Sequence, residues 1–163
     1  MTSGRLQREV KKRKPFESIE QEAALNLVRT SDRLQICFSR LFREHELTGA
    51  QYNVLRILRG EGKPLPILEI ASRTIAIVPG ITGLIDRLED VGLVKRERCS
   101  EDRRVIFVAI TEKGGETLAQ LDQPVIDLHH QVMGHLSQAE TKELIRLLEK
   151  VREPMLTEKG DES

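Results

Sequence analysis

The sequence predicts a mainly helical chain carrying one small β-hairpin, and three observations lead there. Apolar residues recur at steps of three and four along most of the chain. Hydroxyl-plus-glutamate or hydroxyl-plus-glutamine pairs at the spacing of helix caps stand before several of those stretches. Only one region, near residue 100, reads as strands, and it is split by a seven-residue run, 98–104, with five formal charges and no aliphatic side chain.

Taken in order, Ser18-Ile19-Glu20-Gln21 follows Pro15 and reads as a capping box. The helix it opens is expected to reach about Glu44, roughly 40 Å at 1.5 Å per residue. Thr48-Gly49-Ala50-Gln51 is a second box. Its helix carries Tyr52, Leu55 and Leu58 and is expected to end at Gly60, a residue suited to a left-handed cap. Pro66 opens a short helix, Ile67 to Arg73. A connection from Thr74 to Val78 leads to Pro79 at the first position of the next helix. That helix buries Ile81, Leu84, Ile85 and Leu88, the i, i+3, i+4, i+7 stripe, and stops near Gly92. Val94 to Arg98 and Val105 to Ile110 then read as two strands.

Thr111 opens a helix in which Leu118, Leu121, Val125, Leu128 and Val132 form a narrow seam suited to another helix. Pro124 inside it should kink it by removing a backbone bond. Ser137-Gln138-Ala139-Glu140 is a third box, followed by Leu144, Leu147, Leu148 and Val151. Two short helices and a hairpin between long helices make a winged helix-turn-helix with dimerisation arms. The expected division is a basic arm at 1–16, one domain at 17–153 and a polar tail at 154–163. Within that domain the winged core spans about 48–111 and the dimerisation helices about 18–46 and 112–153.

Composition narrows the function. The 163 residues hold 39% hydrophobic side chains but only 3% aromatic ones, which suits helical layers of Leu, Ile and Val shared between subunits. Charge is balanced, 26 basic against 26 acidic, so only its distribution can point to a partner. Cys37 and Cys99 fit neither a metal spacing nor a disulfide framework; a reduced cytoplasm is the simplest location. No leader-like or membrane-length apolar run occurs. Gly60-Glu61-Gly62-Lys63-Pro64 only glances at a phosphate loop, with Pro64 where a Ser or Thr would hold magnesium. His129, His130 and His135 lack the partners a metal site needs. No catalytic motif is present, and no enzyme, cofactor or metal is expected.

The helix from Pro79 turns Thr82, Gly83, Asp86 and Arg87 outward. Small residues there let a backbone approach closely, and a major groove admits such a helix. An ordinary solvated face is the alternative. Arg98, Arg103 and Arg104 at a hairpin tip are a surplus for a mere turn, and an arginine there suits a narrow minor groove. Asp102 is expected to hold Arg104 by a charge-assisted bond, leaving Arg103 to point outward. A solvated turn with weak ion pairs is the alternative. The leader, with Arg5, Arg8, Lys11, Lys12, Arg13 and Lys14 against Glu9, reads as an interaction arm, a solvated tail, or a short helix packing Leu6 and Val10 on the partner subunit.

These residues carry a resemblance to the MarR family of bacterial transcriptional regulators. Asp102-Arg103-Arg104 through Ile110-Thr111 resembles the family's D-x-R, five residues, L-T pattern, with Ile110 in place of Leu. LTGAQYNVLRILRG at 47–60 and GITGLIDRLEDVGLVKRE at 80–97 are similar too, as is KKRKPFESIEQEAALNLVRTSDRL at 11–34 to the leader and first helix of one branch. The resemblance spans about residues 11 to 151. It implies a homodimer on double-stranded DNA, a ligand-responsive repressor on a pseudo-palindromic operator. It also implies a recognition helix including Pro79, Gly80, Thr82, Gly83 and Arg87, and a wing including Arg98, Ser100, Arg103 and Arg104. Gly83 departs from the basic or larger polar residue usual there, and Ile77 and Val78 replace the expected cap. A small aromatic effector is implied, with Phe38, Phe42, His45 and Tyr52 as candidate pocket residues; packing between two helices is the alternative for them. A winged-helix dimer serving protein–protein assembly is the alternative function.

Overall fold

The chain is described by a computed structural model covering residues 4–98, 102 and 104–157. Cys99, Ser100, Glu101 and Arg103 of the expected wing lie outside the described residues. The elements are α1 (Arg5–Glu9), α2 (Ile19–Glu44), α3 (Gly49–Glu61), β1 (Leu65–Pro66), α4 (Ile67–Ser72), α5 (Ile81–Asp90), β2 (Val94–Arg98), β3 (Ile106–Ile110), α6 (Glu112–Met133) and α7 (Gln138–Thr157). The chain forms two compact units, Met1–Asp122 and Gln123–Ser163.

The caps start the long helices where the sequence places them. Thr48 Oγ1 accepts from the Gln51 amide at 3.2 Å and Gln51 Oε1 accepts from the Thr48 amide at 2.8 Å, a complete box. Ser137 and Glu140 exchange the same pair of bonds. At α2 the box is shifted by one residue. Ser18 Oγ accepts from Gln21, but the Gln21 side chain accepts from the Glu17 amide. The end of α3 corrects the expected cap. Gly60 lies inside the helix, and Gly62, at φ 72°, is the left-handed residue that closes it.

In the first unit a three-stranded antiparallel sheet runs in the order β1-β3-β2. Val94 faces Ile110 and Arg98 faces Ile106 across the hairpin, and Leu65 faces Val108 on the other edge. The sequence suggests two strands; the third is β1. Two residues are too short to show a period of two, and Pro66 can sit in a sheet because β1 is an edge. Val54, Leu55 and Leu58 of α3, Ile70 of α4, Leu84, Ile85 and Leu88 of α5, and Val94 and Val108 of the sheet make the core.

Thr111 joins three pieces of this unit. Its amide donates to Leu93 O at 3.1 Å, its hydroxyl to Gly92 O at 2.7 Å, and the same hydroxyl oxygen accepts from the Gly114 amide at 3.1 Å. Gly114 lets α6 start against the hairpin. A Cβ there would stand 2.3 Å from Leu93 O and 2.8 Å from Ile110 Cγ1. Arg59 of α3 forks onto Asp122 of α6 at 2.6 and 3.0 Å.

One part of the expected dimer seam belongs to the protomer's own interior. Leu118 and Leu121 are 0% exposed in the single chain, so they are closed to a partner. In the second unit Val125 is buried, Leu128, Val132, Leu144 and Leu148 are half-buried, and Leu147 and Val151 are exposed. Helix α6 runs without interruption through Pro124. The leader holds α1, with Leu6 buried, Val10 exposed, and Glu9 paired to Arg5 at 2.9 Å and to Arg29 of α2 at 4.0 Å.

Candidate nucleic-acid interface

Helix α5 begins later than the sequence suggests. Pro79 sits in a turn, and Gly80 is the N-cap at φ 66°. A left-handed residue cannot continue a right-handed helix, so the first helical bond runs from the Leu84 amide to Gly80 O. No side chain caps this end, because Ile77, Val78 and Pro79 offer no acceptor. Pro79 and Gly80 therefore shape the approach to the helix rather than its first turn.

The outward face of α5 holds Thr82, Asp86 and Arg87 exposed and Gly83 half-exposed. A Cβ at Gly83 would meet only Arg87 Nη1, at 3.8 Å. That is ordinary contact, so packing does not require glycine there. Asp86 is spoken for, because Arg96 of β2 forks onto Asp86 and onto Glu89 Oε2, the latter at 2.5 Å. The Arg96 amide also donates to Glu89 Oε1 at 2.9 Å. That backbone bond first, and the guanidinium second, hold the Glu89 carboxyl below its usual range. Asp86 first, and then Glu89, raise Arg96 further. The fork ties α5 to the hairpin and neutralises the acids of the outward face. Sequence reading missed Arg96; its only trace is two acids one helical turn apart followed by a basic strand.

Asp102 holds Arg104 by a charge-assisted bond, made to the backbone of Arg104. Asp102 Oδ1 accepts from the backbone amide of Arg104 at 2.9 Å, and Asp102 O accepts from the Val105 amide at 3.0 Å. No ion pair joins the Asp102 and Arg104 side chains. The carboxylate closes the turn on the backbone, and the exposed Arg104 guanidinium is left over. Arg103 and Ser100, the other expected contacts, lie outside the described residues.

Ion pairing sorts the cations of the winged core into two sets, apart from Arg56 of α3, which is exposed and donates to Asn53 Oδ1 at 3.1 Å. Arg59 is held by Asp122, Arg73 by Glu61 and Glu69, Lys63 by Glu61, Lys95 by Glu97, and Arg96 by Asp86 and Glu89. Arg87 on α5, Arg98 at the end of β2 and Arg104 in the wing are exposed and make no ion pair among the described residues. These are positions from which a guanidinium can reach a phosphate. Apolar side chains stand nearby in sequence: Leu68 of α4 is 82% exposed, and Ile75 and Ile77 of the α4–α5 connection are 83% and 80% exposed.

Of the candidate pocket residues, Phe42 is buried and its ring stacks on Tyr52 with centroids 4.3 Å apart. Phe38 stands 6.0 Å from Phe42, centroid to centroid, and His45 is half-buried. Burial pushes the Tyr52 hydroxyl above its usual range. These rings hold α2 to α3. Two shallow concavities lie elsewhere on α2, around Leu27, Val28 and Ser31 and around Ile36, Ser39 and Arg43. Cys37 is half-buried with a free thiol.

The family model that matches the chain is the MarR family, over residues 47–106. The chain is 46% identical to a MarR transcription factor from Planctomyces limnophilus, covering 82% of this chain and 98% of that one at a TM-score of 0.64. It is 31% identical over 131 residues to the HTH-type transcriptional regulator MgrA of Staphylococcus aureus, covering 72% of this chain and 87% of MgrA. The structure of Bordetella bronchiseptica BpsR, described through regulation of its DNA binding by 6-hydroxynicotinic acid, is 25% identical at a TM-score of 0.71, covering 80% and 98%. With its winged core, capped long helices and relatives of full length, this chain belongs to the MarR family of transcriptional regulators.

Proposed function

We propose that the chain is a homodimeric repressor that binds a pseudo-palindromic operator and releases it on binding a small aromatic effector. The observation that carries the DNA reading is the placement of cations in the winged core: Arg59, Lys63, Arg73, Lys95 and Arg96 are paired and Arg56 bonds to Asn53, while Arg87, Arg98 and Arg104, on α5 and at the wing, are exposed without an ion pair among the described residues. Arg87 is suited to a backbone phosphate, Thr82 and Gly83 to close approach in a major groove, and Arg98 and Arg104, with Arg103 and Ser100, to the neighbouring minor groove. Asp102 supports the wing through the Arg104 amide.

The dimer reading rests on apolar surface that one chain leaves open: Ile19 and Val28 on α2, and Leu147, Val151, Met155 and Leu156 on α7. A two-fold dimer places half-sites about one helical turn, ~34 Å, apart. The effector reading draws on the regulation of BpsR by 6-hydroxynicotinic acid, with Phe38, Phe42, His45 and Tyr52 as the site opened when their stack loosens.

Selection of duplexes from a random pool by the purified protein, followed by a salt titration of the winner, tests the reading. Affinity should fall steeply with salt as counterions are released. Arg103→Ala should weaken the selected duplex by about 1–3 kcal/mol and leave the melting temperature unchanged. Failure to select any duplex would favour the assembly reading, for which Leu68, Ile75 and Ile77 are the supporting surface.

A further inference from the structure

The face around α5 is short of the groups that read bases by hydrogen bonding. Gly83 has no side chain, Asp86 is engaged by Arg96, and Thr82 and Arg87 are the exposed donors on its outward face. The cations of the connection and α5 are Arg73, which is held by Glu61 and Glu69, and Arg87. The same stretch carries Asp86, Glu89 and Asp90. Yet the connection that delivers the chain into α5 holds Ile75 and Ile77 83% and 80% exposed, which among the large apolar residues described only Leu68 of α4 matches.

Nothing in the protomer explains that exposure. Thr74 Oγ1 donates to Ala71 O at 2.8 Å and fixes the start of the connection, and Gly80 fixes its end in a left-handed turn. Between these anchors the chain holds two β-branched, stiff side chains toward water. In a helix-turn-helix the N-terminal end of the recognition helix enters the groove first. The residues leading into it therefore lie at the groove's edge, continuous with the surface that Thr82 and Gly83 present. An apolar side chain there finds one apolar feature on a duplex, the C5-methyl of thymine.

We propose that Ile75 and Ile77 read thymine methyl groups in the major groove, so that part of the specificity of this protein is apolar rather than hydrogen-bonded. This rests on the DNA reading above and adds to it which base feature is read and by which residues. It also gives Gly83 a role: without a side chain in the first turn, the backbone comes close enough for the two isoleucines to reach the methyls.

Uracil tests this directly, because it differs from thymine only by the missing methyl. The probe is the duplex selected from the random pool, with each thymine of a half-site replaced in turn by deoxyuridine. Wild-type protein should lose about fourfold in affinity at one or two positions per half-site, the worth of one buried methyl. In Ile75→Ser or Ile77→Ser the same replacement should cost nothing further, with melting temperature and salt slope as in the wild type. Ile77→Val should keep the sensitivity to uracil. A selected duplex that binds equally well with uracil at every position overturns the inference and leaves the DNA reading standing. A loss that persists unchanged in both serine variants overturns it too. A protein that selects no duplex overturns both, and Ile75 and Ile77 then mark a protein contact.

Discussion

Between Thr48 and Thr111 the large apolar side chains mostly go inside: four of α3 and three of α5 are buried, with Ile70, Leu93, Val94 and Val108 around them. Along the 26 residues of α2 only Phe42 is buried, and from 138 to 156 on α7 no side chain is. Both regions are amphipathic and both start from the same kind of cap. The difference lies in what each finds within one chain. The winged core closes on itself, whereas the long helices leave apolar residues exposed in the single chain. Self-sufficiency is thus a property of packing partners and not of local sequence.

That contrast can be broken most strongly at α7. Leu147→Asp with Val151→Asp should halve the sedimenting mass while the spectrum of a folded winged core persists. Each side chain no longer covered is worth about 1.5–3 kcal/mol on each protomer. A variant that sediments as wild type would show that this face is not the interface.

Leu121→Ala sharpens the same contrast from the other side. Leu121 is fully buried in the single chain, so its truncation should cost about 2–5 kcal/mol of folding stability, read by denaturant melting. The variant that remains folded should sediment like the wild type.

Within the core, the wing offers a smaller effect. Asp102→Ala removes the acceptor for the Arg104 amide and should cost about 1 kcal/mol, seen as a lower melting temperature. Arg104→Ala keeps that amide and should melt like the wild type while binding duplex less well. Equal losses of stability in the two variants would mean that the Arg104 side chain, too, supports the turn.

The smallest effect is the acid dependence of the link between α5 and β2. Glu89 titrates below its ordinary 4.5 in the folded chain, so the unfolded chain takes up its proton first. Its contribution is complete above about pH 4.5 and is lost as pH falls through the lowered folded value. Glu89→Gln should therefore flatten the acid side of the melting profile slightly. An unchanged profile would mean that the other lowered carboxyls, such as Glu61 and Glu140, carry the acid sensitivity.

What the sequence made legible follows the range of the interactions. Caps are local, so Thr48, Ser137 and the start of α2 could be read within a residue. Periodicity is nearly local, so the stripe of α5 could be read too. Two glycines two residues apart both satisfy the rule for a helix end, and only the backbone shows that Gly62 takes the left-handed position. Pro79 suggested a helix start, but Gly80 adopts the turn and delays it. The Arg96 fork, the edge strand β1 and the burial of Leu118 and Leu121 need tertiary contacts, which no spacing rule supplies. The wing sits between these cases. Its Asp102 was legible as a brace, but the atom it holds was not.

Gly114 carries a consequence for inheritance. Its missing Cβ is where α6 meets the carbonyl of Leu93, and the bonds of Thr111 converge on the same corner. A codon change there alters no residue assigned to DNA, effector or partner, yet it pushes apart the elements that orient the recognition helix and the wing. Under the repressor reading proposed above, genetic screens for derepressed strains should accordingly collect alleles at Gly114 and Thr111 alongside those in the wing. Such alleles would be recessive if the altered chain fails to assemble, and dominant if it still pairs with normal chains.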